Sequence, residues 1–347
     1  MTRLSIIKEH HPLAEIVHHF SDHLFISSYH RRITIQRHGG KKITIKLPLI
    51  LNDLFGFSRL FRRALRLDKC NVFPIDERGE TLIIIRQGKV YKYCDTKGLR
   101  QTLKLRQSRN VLHCDFCITK SGRLLFGEYG ANARLQPIPI YSSDDHGENW
   151  RVVYEVPAGK AKHIHGVYAD RYSDKIWILT GDRNGESWII KADEDFKDLD
   201  YLGDGSQTYR ACTIFFTPKK VVWAMDSPLK PSQTVHLDRE TNKISMHGFF
   251  PGPIWYGLEL YKSGYLLASS VEPGDSVTGN EACIYYSNDL ISWSKIKTFK
   301  KDILPIELFK FGVIGFSRGL RSDTSFYIFG EALKDLDGKS CRCLVEI

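Results

Sequence analysis

The sequence predicts an all-β fold, a single β-propeller with seven blades, or six as the alternative. Two observations predict it. From residue 70 onward, short β-rich runs alternate with turns of Gly, Asn, Asp and Pro, and almost no stretch has helical periodicity. A pair of strands also recurs along the chain at intervals of about 44 to 59 residues, which is typical of a propeller blade.

Each repeat is a strand, a turn and a second hydrophobic strand that ends on a polar residue. Six copies can be written: Asn71–Tyr93, Asn110–Gly130, Ala161–Arg183, Ser206–Pro228, Gly252–Gly274 and Gly312–Leu333. The second strands of five copies end on an acid: Glu128, Asp182, Asp226, Glu272 and Glu331. Strands at Leu24–Tyr29, Arg32–Arg37 and Lys42–Leu47 supply or complete another blade. Pairing of the N- and C-terminal strands would close the ring and remove its exposed edges.

We expect one domain over residues 1–347, with N-terminal strands and a helix in 1–70 and repeated blades in 71–347. The helix is expected near residues 52–66. Its apolar residues recur at helical spacing and its arginines form a cationic flank: Leu54, Phe57, Leu60, Phe61, Ala64 and Leu65, with Arg59, Arg62, Arg63 and Arg66. Such a helix either docks on an anionic membrane surface or packs across the propeller with its arginines in water.

The net charge of +10 favours an anionic partner. No nucleic-acid motif, P-loop or dinucleotide-binding turn accompanies this charge, so nucleic acid is not an expected partner. The N-terminus lacks the apolar run of a secretory signal, which predicts a cytoplasmic protein, either free or peripheral on the inner membrane. The eight cysteines are expected to be reduced. Cys114 and Cys117 would point to opposite faces of a strand, which favours buried thiols over a zinc site.

One motif carries a family resemblance. Ser143-x-Asp145-x-Gly147-x-x-Trp150 resembles the Asp-box of sialidases and other BNR-repeat propellers, many of them carbohydrate-active, and a decayed second copy keeps Ser287, Asp289 and Trp293. In those families the box is a structural hairpin at the blade periphery, so it names no site residue. The Arg-Ile-Pro segment of true sialidases is absent, and Tyr209-Arg210 is only a partial echo of their site, so a sialidase is not expected.

Propeller ligands bind at the mouth of the central funnel, which is lined by the innermost strands and by the loops that join successive blades. His163 and His165 lie two residues apart on one strand face, and together they could bind an anion, ligate a metal, act as base and orienter, or simply be structural. The catalytic candidates are His165, His163, Tyr209, Asp182, Glu128 and Asp226. The substrate-binding candidates are Arg210, Arg183, Tyr129, Trp255, Tyr256, Glu272, Arg318 and Arg321. No metal site and no cofactor are predicted.

The expected function is cleavage of a glycosidic bond in an acidic glycan, by a hydrolase or a lyase. A lyase needs a base and a cation for a uronate carboxylate, and a glycosidase needs two carboxylates at a set separation; the candidates include both sets. One alternative is a glycosyltransferase that uses a nucleotide sugar at the cytoplasmic membrane face in cell-surface polysaccharide assembly. A second alternative is a propeller that binds glycans without catalysis. The expected partners are a glycan or nucleotide sugar and, through residues 52–66, an anionic membrane.

Overall fold

The described residues form seven four-stranded antiparallel sheets, which confirms the seven-bladed propeller. The structure is a computed structural model that describes residues 2–8, 14–67, 70–113 and 115–346, so Cys114 lies outside the described part. The other cysteines carry free thiols. Within each blade the strands follow chain order from the innermost outward, except in the last blade.

The blades are numbered 1 to 7 along the chain. Blades 1 to 3 contain β2 (Ile16–Phe20), β3 (Leu24–Tyr29), β4 (Arg32–Arg37), β5 (Ile43–Lys46); β6 (Asn71–Pro74), β7 (Thr81–Arg86), β8 (Lys89–Cys94), β9 (Gly98–Lys104); β10 (Cys117–Ile118), β11 (Leu124–Gly127), β12 (Ile138–Ser143), β13 (Arg151–Val156). Blades 4 and 5 contain β14 (His163–Ala169), β15 (Lys175–Gly181), β16 (Ile189–Asp193), β17 (Leu199–Leu202); β18 (Ala211–Phe216), β19 (Lys220–Met225), β20 (Ser232–Asp238), β21 (Ile244–Phe250). Blades 6 and 7 contain β22 (Ile254–Leu260), β23 (Gly264–Ser269), β24 (Glu281–Ser287), β25 (Ser294–Lys300); β26 (Val313–Phe316), β27 (Phe326–Glu331), β28 (Ser340–Glu346), β1 (Arg3–Lys8). The helices are α1 (Arg59–Ala64), α2 (Ile306–Phe309) and 3₁₀ turns at Leu51–Phe55 and Gln207–Tyr209.

The ring closes through the two ends of the chain, as the sequence predicts. The N-terminal strand β1 pairs antiparallel with the C-terminal β28, with Arg3 opposite Glu346, and forms the outermost strand of blade 7. The six predicted repeats are the two inner strands of blades 2 to 7. The innermost strand of blade 1, β2, was not predicted, because His18 and His19 interrupt the apolar pattern of this five-residue strand.

The hydrophobic core lies between neighbouring blades. Ile83 of blade 2 packs with Phe126 of blade 3, and Trp177 of blade 4 packs with the fully buried Trp223 of blade 5. Both faces of an inner strand are therefore buried, which is why these strands read as continuous apolar runs rather than as alternating ones. This packing fixes each innermost strand against its neighbours and so fixes the residues at its ends.

The hairpin between β12 and β13 carries the motif that resembles an Asp-box. The Ser143 hydroxyl accepts the Gly147 amide at 2.8 Å, the Asp145 carboxylate accepts the Asn149 amide at 2.9 Å, and Trp150 packs edge-on against Phe126 with ring centroids 5.1 Å apart. Gly147 has a φ of +80°, which glycine adopts at little cost. These contacts describe a well-bonded outer turn, and the family resemblance stays a prediction.

The corresponding hairpin of blade 6 uses the same bonds with a different turn residue. The Ser287 hydroxyl accepts the Leu290 amide at 2.9 Å, and the Asp289 carboxylate accepts the amides of Ile291 and Ser292, both at 2.8 Å. Leu290 takes a φ of +65° in the place where the first hairpin has Gly147. The leucine side chain is buried, so its packing offsets the cost of that backbone conformation.

Residues 48–67 do not form one continuous helix. Gly56 separates the 3₁₀ turn Leu51–Phe55 from α1. The expectation that the arginines of this segment lie in water is wrong for Arg62 and Arg63, which are 5% and 3% exposed. Arg62 pairs with the buried Glu15 at 2.5 Å and Arg63 with Asp302 at 2.6 Å. Carboxylates beneath the helix draw the guanidinium groups inward, because a buried charge requires a partner.

The apolar side chains of the same segment face outward instead. Phe57 is 80% exposed, and this outward set, here called the apolar rim, contains Leu51, Leu54, Phe55, Phe57, Leu60 and Phe61. α2 lies against α1 and adds the exposed Leu308. No helix among the described residues is both long and apolar enough to cross a bilayer.

Candidate active site

A cluster of titratable side chains lies at one end of the ring, where innermost strands begin and second strands end. Antiparallel pairing brings the start of β14 beside the end of β15, so His163 lies opposite Gly181. Blades 5 and 6 repeat this arrangement. The cluster contains Lys162, His163, His165, Asp182, Arg210, Cys212, Asp226, Trp255 and Glu272.

His163 and His165 point their Nε2 atoms at each other. These atoms are 3.0 Å apart, and they lie 3.1 Å and 3.2 Å from Oδ1 of Asp182. The Nδ1 atom of His163 donates to the Gly130 carbonyl at 2.9 Å, and that of His165 donates to the Ala211 carbonyl at 3.0 Å. A carbonyl accepts only, so each Nδ1 carries the proton, and in the neutral rings each Nε2 presents a lone pair.

Asp182 is the shared partner of both histidines. Burial raises the pKa of its carboxyl, but imidazoles that carry a second proton donate to it from Nε2, outweigh burial and hold the pKa far below its usual range. Burial lowers the pKa of His163, against the opposing effect of Asp182. The Lys162 ammonium donates to Oδ2 of Asp182 at 2.8 Å, and Oδ1 faces the histidines, with Nη2 of Arg210 3.5 Å away.

Arg210 connects the histidine side of the cluster with blade 5. Its Nε donates to Asp226 at 3.2 Å and its Nη1 donates to the Asp182 backbone carbonyl at 2.9 Å. The buried Cys212 thiol donates to the same Asp226 oxygen at 3.3 Å, which lies 3.7 Å from Nδ1 of His165. The other Asp226 oxygen is buried and has no hydrogen-bond partner among the described residues. A buried carboxylate oxygen without a hydrogen bond lowers the stability of the folded protein, and such groups are typical of functional sites.

Glu272 completes the cluster on blade 6. Its Oε1 accepts the Trp255 indole N–H at 3.0 Å and the Ser270 hydroxyl at 2.9 Å. Burial, followed by the charge of Asp226, raises the pKa of Glu272 to about 7. A carboxyl that titrates near neutral pH can both accept and donate a proton under ordinary conditions.

A cleft of about 330 Å³ opens beside this cluster. Its wall includes Tyr129, whose ring packs at a tilt of 37° against His163 with ring centroids 4.2 Å apart, and Trp255, which donates to Glu272. Arg66, after α1, and Ile306 of α2 also line the cleft. The volume falls within the range of about 300 to 1,000 Å³ that is usual for small-ligand sites.

The structure brings together most of the residues predicted from the sequence, but not all. Those in or beside the cluster and cleft are His163, His165, Asp182, Asp226, Arg210, Tyr129, Trp255 and Glu272. Arg183 is exposed on the turn that follows Asp182. Tyr256 lies deeper in the channel, 6.0 Å from the His113 ring.

Four predicted residues have other roles or places. Glu128 accepts the backbone amides of residues 106–108 and the Tyr141 hydroxyl, so it holds a loop rather than facing the cleft. Tyr209 stacks on Trp223 in the core of blade 5. Arg318 and Arg321 follow the end of β26, whereas the cluster lies where innermost strands begin, so both arginines are at the other end of the channel. A loop that follows an innermost strand lies at the opposite end of the channel from a loop that precedes one. The repeat pattern does not show at which end of the channel these loops lie.

Sequence reasoning missed Lys162, Cys212, Lys310 and Glu331. Lys310 donates to Glu331 at 3.1 Å in the wall of the cleft. Glu331 ends the second strand of blade 7 as Glu272 ends that of blade 6, and the repeat pattern identified this acid without placing it among the site candidates. Lys162 precedes the first histidine directly, but its contact with Asp182 depends on the loop that it occupies.

Two sets of residues among those described could hold a metal ion. In one set the ligand atoms belong to His163, His165 and Asp182, and in the other to His165, Cys212 and Asp226. The second set would need the Nδ1 atom of His165, which already donates to Ala211. The first set uses two lone pairs that have no such donor role.

Comparison with known proteins supports the fold and leaves the family open. No protein-family model matches this sequence, and no curated protein does. A streptogramin B lyase is similar at a TM-score of 0.61 and 12% identity, covering 99% of this chain and 98% of that one. An oligogalacturonate lyase in complex with manganese is similar at 0.56 and 10%, covering 100% and 90%. A chain of the mitotic checkpoint complex is similar at 0.58 and 11%, covering 98% and 93%.

The two lyases are seven-bladed β-propellers, and the third match is named for an assembly rather than for a reaction. At identities of 10 to 12%, these likenesses show the fold alone. Seven-bladed propellers host many functions, so the function has to be argued from the cluster and cleft.

Proposed function

We propose that this chain is a lyase that cleaves a glycosidic bond of an acidic glycan in the cleft beside Glu272. The observation that carries the proposal is the position of Glu272, a buried carboxyl that accepts the indole N–H of Trp255 in the wall of the cleft. Burial raises the pKa of this carboxyl to about 7. A perturbed group of this kind, within a cluster of other titratable side chains, is a recurrent feature of acid–base catalysts.

The proposed reaction is an elimination. The base removes the proton from the carbon next to the sugar carboxylate, the electron pair forms a carbon–carbon double bond, and the bond to the glycosidic oxygen breaks. The leaving oxygen takes up a proton, so no water is consumed. Glu272 can act as the base that removes the carbon-bound proton, and it can then give a proton to the leaving oxygen, because its pKa lies near neutral pH. The indole of Trp255 and the hydroxyl of Ser270 orient its carboxyl.

Several features of the cleft favour an acidic sugar. Trp255, Tyr129 and Phe311 offer aromatic surface for a sugar ring, and Arg66 supplies a partly exposed cation in the wall. Lys162 adds a second cation beside Asp182. Two of the structural neighbours described above are lyases, which is compatible with an elimination.

The test is an elimination assay on a panel of uronate-containing polysaccharides and oligosaccharides. The double bond conjugated to the carboxylate gives an ultraviolet absorbance that hydrolysis does not produce. We expect the purified protein to generate it from at least one substrate, and Glu272→Gln to lower the rate by about 100-fold or more.

Glu259→Gln is the matched control, because Glu259 lies on β22 away from the cluster and pairs with Arg171. Its rate should equal that of the unmodified protein. An increase of reducing ends without ultraviolet absorbance would replace the lyase by a hydrolase. Absence of both products from every substrate would overturn cleavage and leave transfer or binding.

The apolar rim favours a second candidate, a glycosyltransferase that works at a membrane surface. The rim includes residues of α1, and the cleft is bordered by Arg66, which follows α1, and by Ile306 of α2, which packs against α1. An apolar rim on a chain of net charge +10 suits an anionic bilayer, which would hold the cleft close to a lipid-linked acceptor.

Vesicle co-sedimentation tests this candidate. The protein should sediment with anionic vesicles more than with neutral ones, and replacing Leu54 and Phe57 by serine should abolish sedimentation. The control replaces Phe249 and Ile291, two exposed apolar residues on other blades. Equal sedimentation of both double variants would exclude the rim as a membrane-docking surface. Stabilisation of the protein by a nucleotide sugar, with no elimination product, would favour transfer over cleavage.

A further inference from the structure

We propose that His163, His165 and Asp182 bind one divalent transition-metal ion at the floor of the candidate site. Two independent observations carry this inference: the spacing of three ligand atoms, and the direction of the protons on the two imidazoles. The role that we give the ion rests on the proposed function, but its binding does not.

The spacing matches one face of a coordination polyhedron. The three ligand atoms are 3.0, 3.1 and 3.2 Å apart. Ligands at about 2.1 Å from a metal ion and at right angles to one another are separated by about 3.0 Å. Two imidazoles and one carboxylate on a single face, with the other positions open, are a ligand set that divalent transition metals accept.

The imidazole protons lie on the far side of both rings. Each Nδ1 donates to a backbone carbonyl, that of Gly130 or Ala211, which fixes the tautomer and aims the Nε2 lone pair at the partner ring. Two lone pairs and a carboxylate oxygen within 3.2 Å of one another repel unless a cation or an extra proton lies between them. Backbone carbonyls that orient ligand histidines in this way are a usual outer shell of metal sites.

The surroundings leave one side of this triad available. Lys162 binds the outer oxygen of Asp182, and Oδ1 faces the histidines with Nη2 of Arg210 3.5 Å away. His163 and His165 are buried, whereas the Asp182 side chain is 24% exposed, so this carboxylate is the part of the triad that solvent reaches. A bound ion there would face the cleft and could hold the carboxylate of an acidic sugar while Glu272 exchanges the proton.

The test is metal binding by the purified full chain after treatment with a chelator, in the absence of any sugar. Isothermal titration with Co²⁺ and electron paramagnetic resonance with Mn²⁺ are expected to show one ion per chain. Asp182→Asn and His163→Ala should each weaken binding by about 100-fold or more. Asp182→Asn keeps the shape of the side chain, so it guards against a variant that fails to fold.

His236→Ala is the matched control. His236 is as buried as His165, and its ring lies 4.5 Å from that of His247, but its Nε2 bonds to the Leu290 carbonyl and no described carboxylate is hydrogen-bonded to either ring. This variant should bind the ion as the unmodified protein does. Failure of the unmodified protein to bind either ion, or equal binding by Asp182→Asn, would overturn the site.

The elimination assay separates this inference from the proposed function. Binding of one ion without elimination of any substrate would refute the lyase and keep the site. Elimination that continues unchanged after removal of the metal would keep the lyase and refute the role of the ion.

Discussion

Two pairs of histidines lie in the central channel, and they differ in every partner. His163 and His165 face each other and a carboxylate, with cations of Lys162 and Arg210 close by. His18 and His113 lie with rings 5.7 Å apart, and each bonds to a neutral group: His18 to the Ser28 hydroxyl and His113 to the Phe316 carbonyl.

The two pairs differ in the charged groups that surround them. Burial lowers the pKa of His113 to about 3, and both burial and the nearby His113 and Arg318 lower that of His18. That pair is therefore neutral, and it joins blades 1, 3 and 7 as a polar part of the core. The pair of blade 4 shares a carboxylate instead. The same residue type at equivalent positions thus serves packing in one place and chemistry in the other, and the partners decide which.

The largest expected effect is on activity, where substitutions in the two histidine pairs should have different results. His163→Ala should lower kcat/KM for elimination by about 100-fold or more, because it removes a side chain of the site itself. His113→Ala should leave the rate of the folded fraction within about threefold. Initial rates from ultraviolet absorbance measure both. Equal losses in the two variants would mean that the channel acts as one unit and that the distinction between the pairs is false.

The next effect concerns the pH dependence of stability. The folded pKa of Glu272, about 7, lies above its ordinary value of 4.5, so the folded protein binds more protons than the unfolded chain between these pH values. Stability contributed by this group is present below pH 4.5 and is lost as the pH rises through 7. Glu272→Gln should therefore be more stable than the unmodified protein at pH 8, by at most about 3 kcal/mol.

Urea denaturation at pH 4.5 and pH 8 measures this difference. The two proteins should have similar stabilities at the lower pH, because Glu272 is protonated in the folded protein there and about half protonated in the unfolded chain. A variant that is less stable than the unmodified protein at pH 8 would show that the carboxylate is favourably paired in the folded protein, contrary to its described surroundings.

A smaller effect is expected on the free energy of unfolding, which should also distinguish the two histidine pairs. His113→Ala should destabilise the fold by about 2 kcal/mol, because it leaves a cavity and an unpaired Phe316 carbonyl. His163→Ala should cost less than about 1 kcal/mol in metal-free protein, because it relieves the opposed lone pairs of the histidine pair. Thermal or urea unfolding of both variants tests the ranking, and a reversed order would contradict the structural role of the first pair.

The smallest expected effect lies in the outer hairpins. Asp145→Ala and Asp289→Ala each remove bonds to backbone amides and should each cost about 1 kcal/mol of stability. Neither should change kcat/KM, because both turns lie at the opposite end of their blades from the cluster. A loss of activity without a loss of stability in either variant would place function in these hairpins.

The sequence predicted most of the fold because the repeat is local. Each copy carries its own strand pair and five of the six carry a terminal acid, so Asp182, Asp226 and Glu272 could be recognised without knowledge of the ring. Blade 1 was harder, because His18 and His19 interrupt the apolar pattern of its innermost strand β2.

The site was predicted less completely, since its contacts depend on loops that meet only in the ring. Glu128 matches the repeat as well as Glu272 does, yet it turns towards backbone amides of the loop before β10. The inward arginines of α1 show the same limit. Arg62 and Arg63 follow helical spacing as a solvent-facing flank would, and only the carboxylates of Glu15 and Asp302 reverse their direction.

The most direct test of the central claim, that the end of blades 4 to 6 is the active site, is a crystal structure of the Glu272→Gln variant soaked with an acidic oligosaccharide. The account predicts a sugar ring on Trp255, with its carboxylate directed towards His163, His165 and Asp182. An oligosaccharide bound at the other end of the channel, beside Arg318 and Arg321, would contradict it.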